Sequence, residues 1–484
     1  MHYRYHFLLW LACLAGHCDR LQAQYPAVVE AFVNKPSMKH AIAGIKVVEV
    51  ETGKLICSCH AETALTPAST LKLLTTATAL EMFGPDYRFA TRIAYTGRLH
   101  PEGRLEGDLL IVGSGDPSLG STHLDTPPDA FPEQWSTAVR EAGIRTIDGD
   151  IVAVDHLYGY QGVSPHWMWG DVGNYYASPV YGISVFDNTY KLYFKTGAPH
   201  SIPEIRYTDP PLPQLIFDNH LIATNTTTDS AYIRGIPFSH ERQLYGTLPA
   251  HRTSFAVKGD IPDPGMLLAQ KLADYLTANG IALVGRPTTS RLKPLHAASP
   301  LHEIYIHRGN SLAEIVRATN IHSNNHFAEH LFHKIGWPHP QACPGHVPTL
   351  AVHAIRKFWQ QRGIDTGGLF QYDGSGLSHA NAITPSMLVS LLVYMQKQSL
   401  YAGVFYRSLP LAGKEGTVKS FLKGTSLEGR AHIKSGSITG VQSYAGYLEK
   451  NGKHYAFALI VNRFTGSRAA LRKEIEGVVE GMVL

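Results

Sequence analysis

An α/β (α+β) fold, an antiparallel sheet with helices on its faces interrupted by one strand-rich insertion, is predicted by three features of this 484-residue chain. A hairpin and a helix lie near the start. Three strands and a closing helix lie at the end. About two hundred residues of different texture separate them.

The early hairpin is "HAIAGIKVVEVETGKLICSCH" (40–60), where apolar and polar residues alternate around the turn signal "ETGK". Cys57 and Cys59 share one strand face, a poor geometry for a mutual disulfide. The helix follows in "TPASTLKLLTTATALEMFGPD" (66–86). Thr66 can cap it, and Pro67 suits the first position. Leu73, Leu74, Ala77, Leu80 and Phe83 keep a helical period, and Gly84-Pro85 stops it. At the other end, "GRAHIKSGSITGVQSYAGYLEKNGKHYAFALIVNRFTGS" reads as three strands, the last two joined through Asn451-Gly452. A helix from about Ser467 closes the domain.

Residues 90–290 are rich in Gly, Pro, Thr and Tyr. Short runs such as "DLLIVGSG", "GDIVAVD" and "YKLYFKT" read as strands, and two helices are predicted near 130–143 and 264–280. A stretch this long is not a loop. It is read as an insertion of two subdomains, the second about 185–255, between catalytic parts at 24–89 and 291–484.

Residues 1–23 read as a signal peptide. Arg4 precedes the apolar run "FLLWLACLAG", which is too short to span a bilayer, and a cut after Ala23 is plausible chemistry. The expectation is export to the periplasm or cell envelope. Net charge is +4 with scattered Lys and Arg, so no nucleic-acid arm is present.

Three short constellations carry chemistry. Ser69-x-x-Lys72 puts a hydroxyl and an amine on one helix face. The helix start favours developing negative charge, and a buried lysine can serve as base for the serine. Ser323-x-Asn325 offers a proton relay and an amide able to hold a lysine. It also reads as a plain N-cap for "HFAEHLFHKI". Lys434-Ser435-Gly436 opens a strand: the Lys suits a carboxylate, the Ser a hydrogen bond, and the Gly a peptide lying close. Lys195-Thr196-Gly197 is a rival spelling inside the insertion, ahead of "TDPPLPQ".

A competing reading uses the same segment as Ser323. His326-x-x-Glu329-His330 spells an inverted zinc-peptidase signature. It needs a third ligand, and no glutamate occurs between Glu329 and Glu415. With 26 histidines in the chain, a solvated stripe of His326, His330 and His333 is the ordinary expectation. A third reading is a cell-wall-binding module without turnover.

Taken together, "TPASTLKLLTTATALEMFGPDYRF", "NIHSNNHFAEHL", "DGSGLSHANAITP" and "HIKSGSITGVQSYAGYL" resemble the penicillin-binding D-Ala-D-Ala carboxypeptidase/endopeptidase family of low molecular mass. So do "IVGSGDPSLG", "WMWGDVGNYYASPVYGISVFDN" and "FAVKGDIPDPGMLLAQKLADYL" in the insertion. The resemblance covers nearly the whole mature chain. It departs at Ser435, where the family spells Thr, and at His379, where relatives often carry Arg.

The resemblance implies a serine β-lactamase/transpeptidase-like domain with an antiparallel five-stranded sheet between helices. It implies hydrolysis of D-alanyl-D-alanine bonds in peptidoglycan stem peptides, with β-lactams as covalent inhibitors and no metal or organic cofactor. Ser69 would be the nucleophile and Lys72 the base. Ser323 and Asn325 would relay a proton and position Lys72. Lys434 and Ser435, with Gly436 beside them, would bind the terminal carboxylate. The N–H groups of Ser69 and Ser437 would form the oxyanion hole. Asp171, a carboxylate in an aromatic loop, is expected to meet the substrate's free amine.

Overall fold

The structure, a computed structural model, describes residues 26–295, 300–337 and 346–483. The expected signal peptide, with Cys13 and Cys18, lies outside the described residues, as does Cys343.

One sheet joins the two ends of the chain. Its strands are β1 (Ile42–Glu49), β2 (Leu55–Cys59), β3 (Ala431–Ile438), β4 (Val441–Lys450) and β5 (Lys453–Asn462). Their order is β3-β4-β5-β1-β2, antiparallel throughout. The β4–β5 turn is Asn451-Gly452, both at positive φ (54° and 71°), as a two-residue hairpin of primed type requires.

Strands β4 and β5 are buried along almost their whole length because both sheet faces are covered. Side chains alternate between two cores. On β5, Ala456, Ala458 and Ile460 enter one cluster with helices α2 (Lys72–Phe83), α3 (Leu312–His322), α4 (Asn325–Gly336) and α6 (Pro385–Lys397). Phe457, Leu459 and Val461 enter the other, against α1 (Ala27–Val33) and α8 (Arg468–Gly481). Two further helices, α5 (Val347–Gln360) and α7 (Ala402–Ser408), complete the first layer.

Helix α2 is buried all round from Lys72 to Leu80. Its threonines are tolerated because their hydroxyls are bonded: Thr76 to Lys72 O, Thr78 to Leu74 O and Thr75 to Gly374 O. Thr66 does not cap this helix. Its N–H donates to Asn462 Oδ1 and its hydroxyl to His379 O, so it ties the helix entrance to the sheet and to a neighbouring loop. A 3-10 turn, Ala68–Leu71, precedes α2, and Gly84 ends it at φ 78°.

The insertion is built on two cores. The first surrounds a mixed five-stranded sheet ordered Pro287–Thr289, Ile151–Val154, Leu109–Val112, Arg88–Tyr95, His302–Ser311, with helices Phe131–Glu141 and Pro264–Ala278. The strand His302–Ser311, paired with Arg88–Tyr95, leads directly into α3. The second core lies between two three-stranded sheets spanning Thr189 to Asp260. Lys195 ends a strand there, exposed, while Thr196 is buried and donates to Pro249 O.

Candidate active site

Ser69 sits in the 3-10 turn, one residue after Ala68, which holds φ at 48°. A non-glycine residue in this region is strained by roughly 1–3 kcal/mol and needs outside support. The support is visible. Thr70 Oγ1 and Ser443 Oγ both donate to Pro67 O, pinning the turn to β4. Gly436 on β3 lies so close that a Cβ there would be 2.8 Å from Ser69 N and 2.7 Å from Pro67 O. Only glycine lets the β3 edge approach the turn.

Lys72 starts α2 directly below. Its Nζ donates to Ser69 Oγ (2.9 Å), Asn325 Oδ1 (2.6 Å) and Ser375 O (2.7 Å). The side chain is fully buried, and burial lowers its pKa from 10.5 to about 7, against the opposing pull of Glu329 and Asp373. An amine so placed can accept a proton near neutral pH.

Ser323 closes α3 in the left-handed region (φ 54°, ψ 38°), and Asn324 caps α4 by accepting from Phe327 N–H. The N-cap and the S-x-N pattern therefore coexist. The left-handed turn aims Ser323 Oγ at Lys434, whose Nζ donates to it at 2.9 Å and to Ser435 O at 2.7 Å. Lys434 is also fully buried, and burial, then the nearby Lys72, push its pKa well below the usual range. The Lys72 set, with Ser69 and Asn325, and the Lys434–Ser323 pair thus lie side by side, close enough for the charge of Lys72 to act on Lys434. Ser435 Oγ meets Thr417 Oγ1 at 2.7 Å, and Ser437 is exposed on the edge strand β3.

Several supports have no motif. Asn325 Nδ2 donates to Tyr176 O at 2.7 Å, so the insertion fixes the amide that faces Lys72. Asp373, buried, accepts from Gly376 N, Ser378 N, Asn381 Nδ2 and Trp167 Nε1 at 2.7–2.9 Å. It shapes the turn that delivers Ser375 O to Lys72. A backbone carbonyl has no letter of its own. The "DGSGLS" run was the available signal for Asp373, through its carboxylate among glycines and serines.

Asp171 is half-buried beside Tyr176, whose hydroxyl donates to it at 3.0 Å. Burial pushes its carboxyl up, opposed by that hydroxyl and by nearby His379. This places Asp171 on the same loop that touches Asn325.

The zinc pattern is dispersed. Glu329 turns away from the histidines and accepts N–H bonds from Gly374 and Ser375. His326 pairs with Ser184 Oγ, His330 Nδ1 with Gly115 O, and His333 Nδ1 with Glu329 O. The stripe is not solvated, as expected from sequence, but buried under the insertion. Burial lowers His326 to about 3 and His333 to about 4 and keeps His330 neutral as well. Among the described residues no cluster of three or more metal-ligating side chains is found.

Comparison with known proteins finds relatives that span this fold. The model of the D-Ala-D-Ala carboxypeptidase 3 (S13) family matches residues 26–481. A D-alanyl-D-alanine carboxypeptidase of Actinomadura sp. (strain R39) is 26% identical over 450 residues, 90% of this chain and 81% of that protein. The D-alanyl-D-alanine carboxypeptidase DacB of Haemophilus influenzae is 23% identical over 429 residues, 86% of this chain and 84% of that protein. The crystal structure of penicillin binding protein 4 (dacB) from H. influenzae superposes with a TM-score of 0.77 at 21% identity, covering 93% of this chain and 98% of that one. The same protein has been solved with a β-lactam, at a TM-score of 0.74 over 94% of this chain and 99% of that one. With its family model matched from end to end of the described fold, this chain belongs to the D-Ala-D-Ala carboxypeptidase 3 (S13) family.

Proposed function

We propose that Ser69 carries out D-alanyl-D-alanine hydrolysis on peptidoglycan stem peptides through an acyl-enzyme. The observation that carries the reading is a buried lysine of lowered pKa, 2.9 Å from a serine held in a strained turn. Ser69 Oγ attacks the penultimate D-Ala carbonyl as Lys72 takes its proton. The C–N bond breaks, and the Ser323–Lys434 arm returns a proton to the leaving nitrogen. Asn325 holds Lys72 in place. The N–H groups of Ser69 and Ser437 bind the oxyanion, and Lys434 with Ser435 binds the terminal carboxylate. Water then hydrolyses the ester. A β-lactam follows the first half of this path and stays on Ser69.

Asp171, with His379 near it, suits the free amine of a diamino-acid side chain. The same site would cut cross-links as an endopeptidase. Export to the periplasm or envelope, with cleavage after Ala23, fits this substrate. No helix of the described residues is long and apolar enough to cross a membrane.

The test is intact-protein mass after benzylpenicillin. The wild type should gain one adduct, mapped to Ser69, and Ser69→Ala should gain none while folding normally. An adduct on Ser69→Ala would remove Ser69 from its role.

A further inference from the structure

Ser323 and Asn325 face two ways. One side meets the lysines. The other forms the wall of a cavity of about 650 Å³ that runs under the second unit of the insertion. A single leaving alanine would fill a small corner of it. The volume falls in the range of roughly 300–1,000 Å³ typical of sites that enclose a ligand of drug size.

Its far wall carries three lysines, Lys191, Lys258 and Lys271, on a lining that also holds Asp129, Asp187 and Asp209. Lys191 and Lys258 stand directly opposite each other on neighbouring antiparallel strands, so both project on one sheet face. Like charges in that position oppose folding unless something offsets them. Asp209 flanks Lys191 on the other side. Lys271 joins them from the helix Pro264–Ala278. Lys258 and Lys271 lie over aromatic rings, of Tyr175 at 5.7 Å and Phe186 at 5.2 Å, and Lys258 also lies near enough to Asp187 to oppose the upward push of burial on its carboxyl. The buried carboxylate of Asp187 is already bonded by Ser121, with His123 at 3.9 Å. A row of lysines left in this state suits a ligand that brings its own carboxylates.

We propose that the cavity receives the leaving stem peptide of a cross-link, with its free carboxylates held by Lys191, Lys258 and Lys271. The inference rests on the peptidase reading above. Lys434 and Ser323 meet the substrate at the residue beyond the scissile bond. A leaving group longer than one alanine extends beyond the Ser323–Lys434 pair, and Ser323 is itself part of the cavity wall. In the reaction, Ser69 Oγ bonds the D-Ala carbonyl carbon and the bond to the cross-link nitrogen breaks. That nitrogen takes up the proton given by Ser69 and departs as an amine on the second stem. Water then splits the ester.

The experiment compares two substrates on the purified protein: a linear pentapeptide stem ending in D-Ala-D-Ala, and a cross-linked muropeptide dimer. The triple variant Lys191→Gln, Lys258→Gln, Lys271→Gln should lose at least about tenfold in kcat/KM on the dimer, mostly through KM, and stay within about twofold on the pentapeptide. Lys258→Arg keeps the charge and should keep dimer cleavage. Unchanged dimer cleavage by the triple variant, or equal losses on both substrates, would overturn the assignment. So would a wild type that trims the pentapeptide and leaves the dimer intact, with the peptidase reading then still standing. A wild type inactive on both substrates would overturn that reading as well.

Discussion

Acylation of Ser69 should rise with pH and level off above neutrality, because Lys72 must be neutral to act as base. Its pKa is lowered from 10.5 to about 7, first by burial, with Glu329 and Asp373 pulling the other way. The drop corresponds to disfavoured charge on the order of 5 kcal/mol. With a pKa near 7, roughly 10% of Lys72 is neutral at pH 6, about 50% at pH 7 and about 90% at pH 8. The second-order rate of acylation by a chromogenic β-lactam should therefore climb about ninefold from pH 6 to pH 8 and then flatten. Lys72→Arg keeps the positive charge but cannot lose its proton, so acylation should fall by roughly three orders of magnitude or more at every pH. The same shift has a stability consequence of defined sign. The folded pKa is depressed, so the contribution is fully present above about 10.5, shrinks as pH falls, and is gone below about 7. A rate that is flat or falls from pH 6 to pH 8, or that rises only above pH 9, would show that Lys72 is not the base.

Three further outcomes follow from the same geometry. Lys434→Ala removes the buried amine beside Ser323 that is proposed to meet the ligand carboxylate, a charge-assisted contact worth roughly 1.5–3 kcal/mol, so acylation should slow at least about tenfold. Lys195→Ala, exposed at the end of an insertion strand, should stay within about twofold, and stopped-flow rates in the reverse order would misplace the cleft. Asp171→Ala should raise KM for stem peptides with a free side-chain amine and leave β-lactam acylation nearly unchanged; wild-type kinetics indifferent to blocking that amine would remove the basis for the claim. A strong chelator should leave activity intact, whereas His330→Ala should lower Tm through a buried cavity and a lost bond to Gly115 O; activity abolished by chelation and restored by zinc would overturn the serine mechanism.

The parts of the site that were legible in sequence are those where one residue type does one job at a fixed spacing. Ser69 and Lys72 are neighbours on a turn and helix start, and Lys434 lies on an edge strand marked by a glycine and a hairpin, though in its middle and not at its opening as the sequence suggested. Their proximity survives translation from letters to space: Lys72 Nζ lies 2.9 Å from Ser69 Oγ, and Lys434 Nζ 2.9 Å from Ser323 Oγ. The histidines of α4 show the opposite case. Their spacing is the same whether they face solvent, a metal or the insertion, and only tertiary packing decides. Glu329 likewise spells a metal ligand locally, yet it is occupied by two backbone N–H groups from residues more than forty positions away. The Thr66 cap failed for a related reason, since its hydroxyl is turned to His379 O and its N–H is held by Asn462 on β5.

The bond from Asn325 to Tyr176 O makes timing part of the design. Lys72 and its Asn325 partner are 253 residues apart, and the carbonyl that orients Asn325 belongs to the intervening segment. As the chain is synthesised, Ser69 and Lys72 emerge long before the groups that make them a working pair. A partly made or partly folded chain would lack the bond that orients Asn325 toward Lys72. On the proposed reading the site would be complete only once the insertion has docked, which would tie cutting to finished assembly.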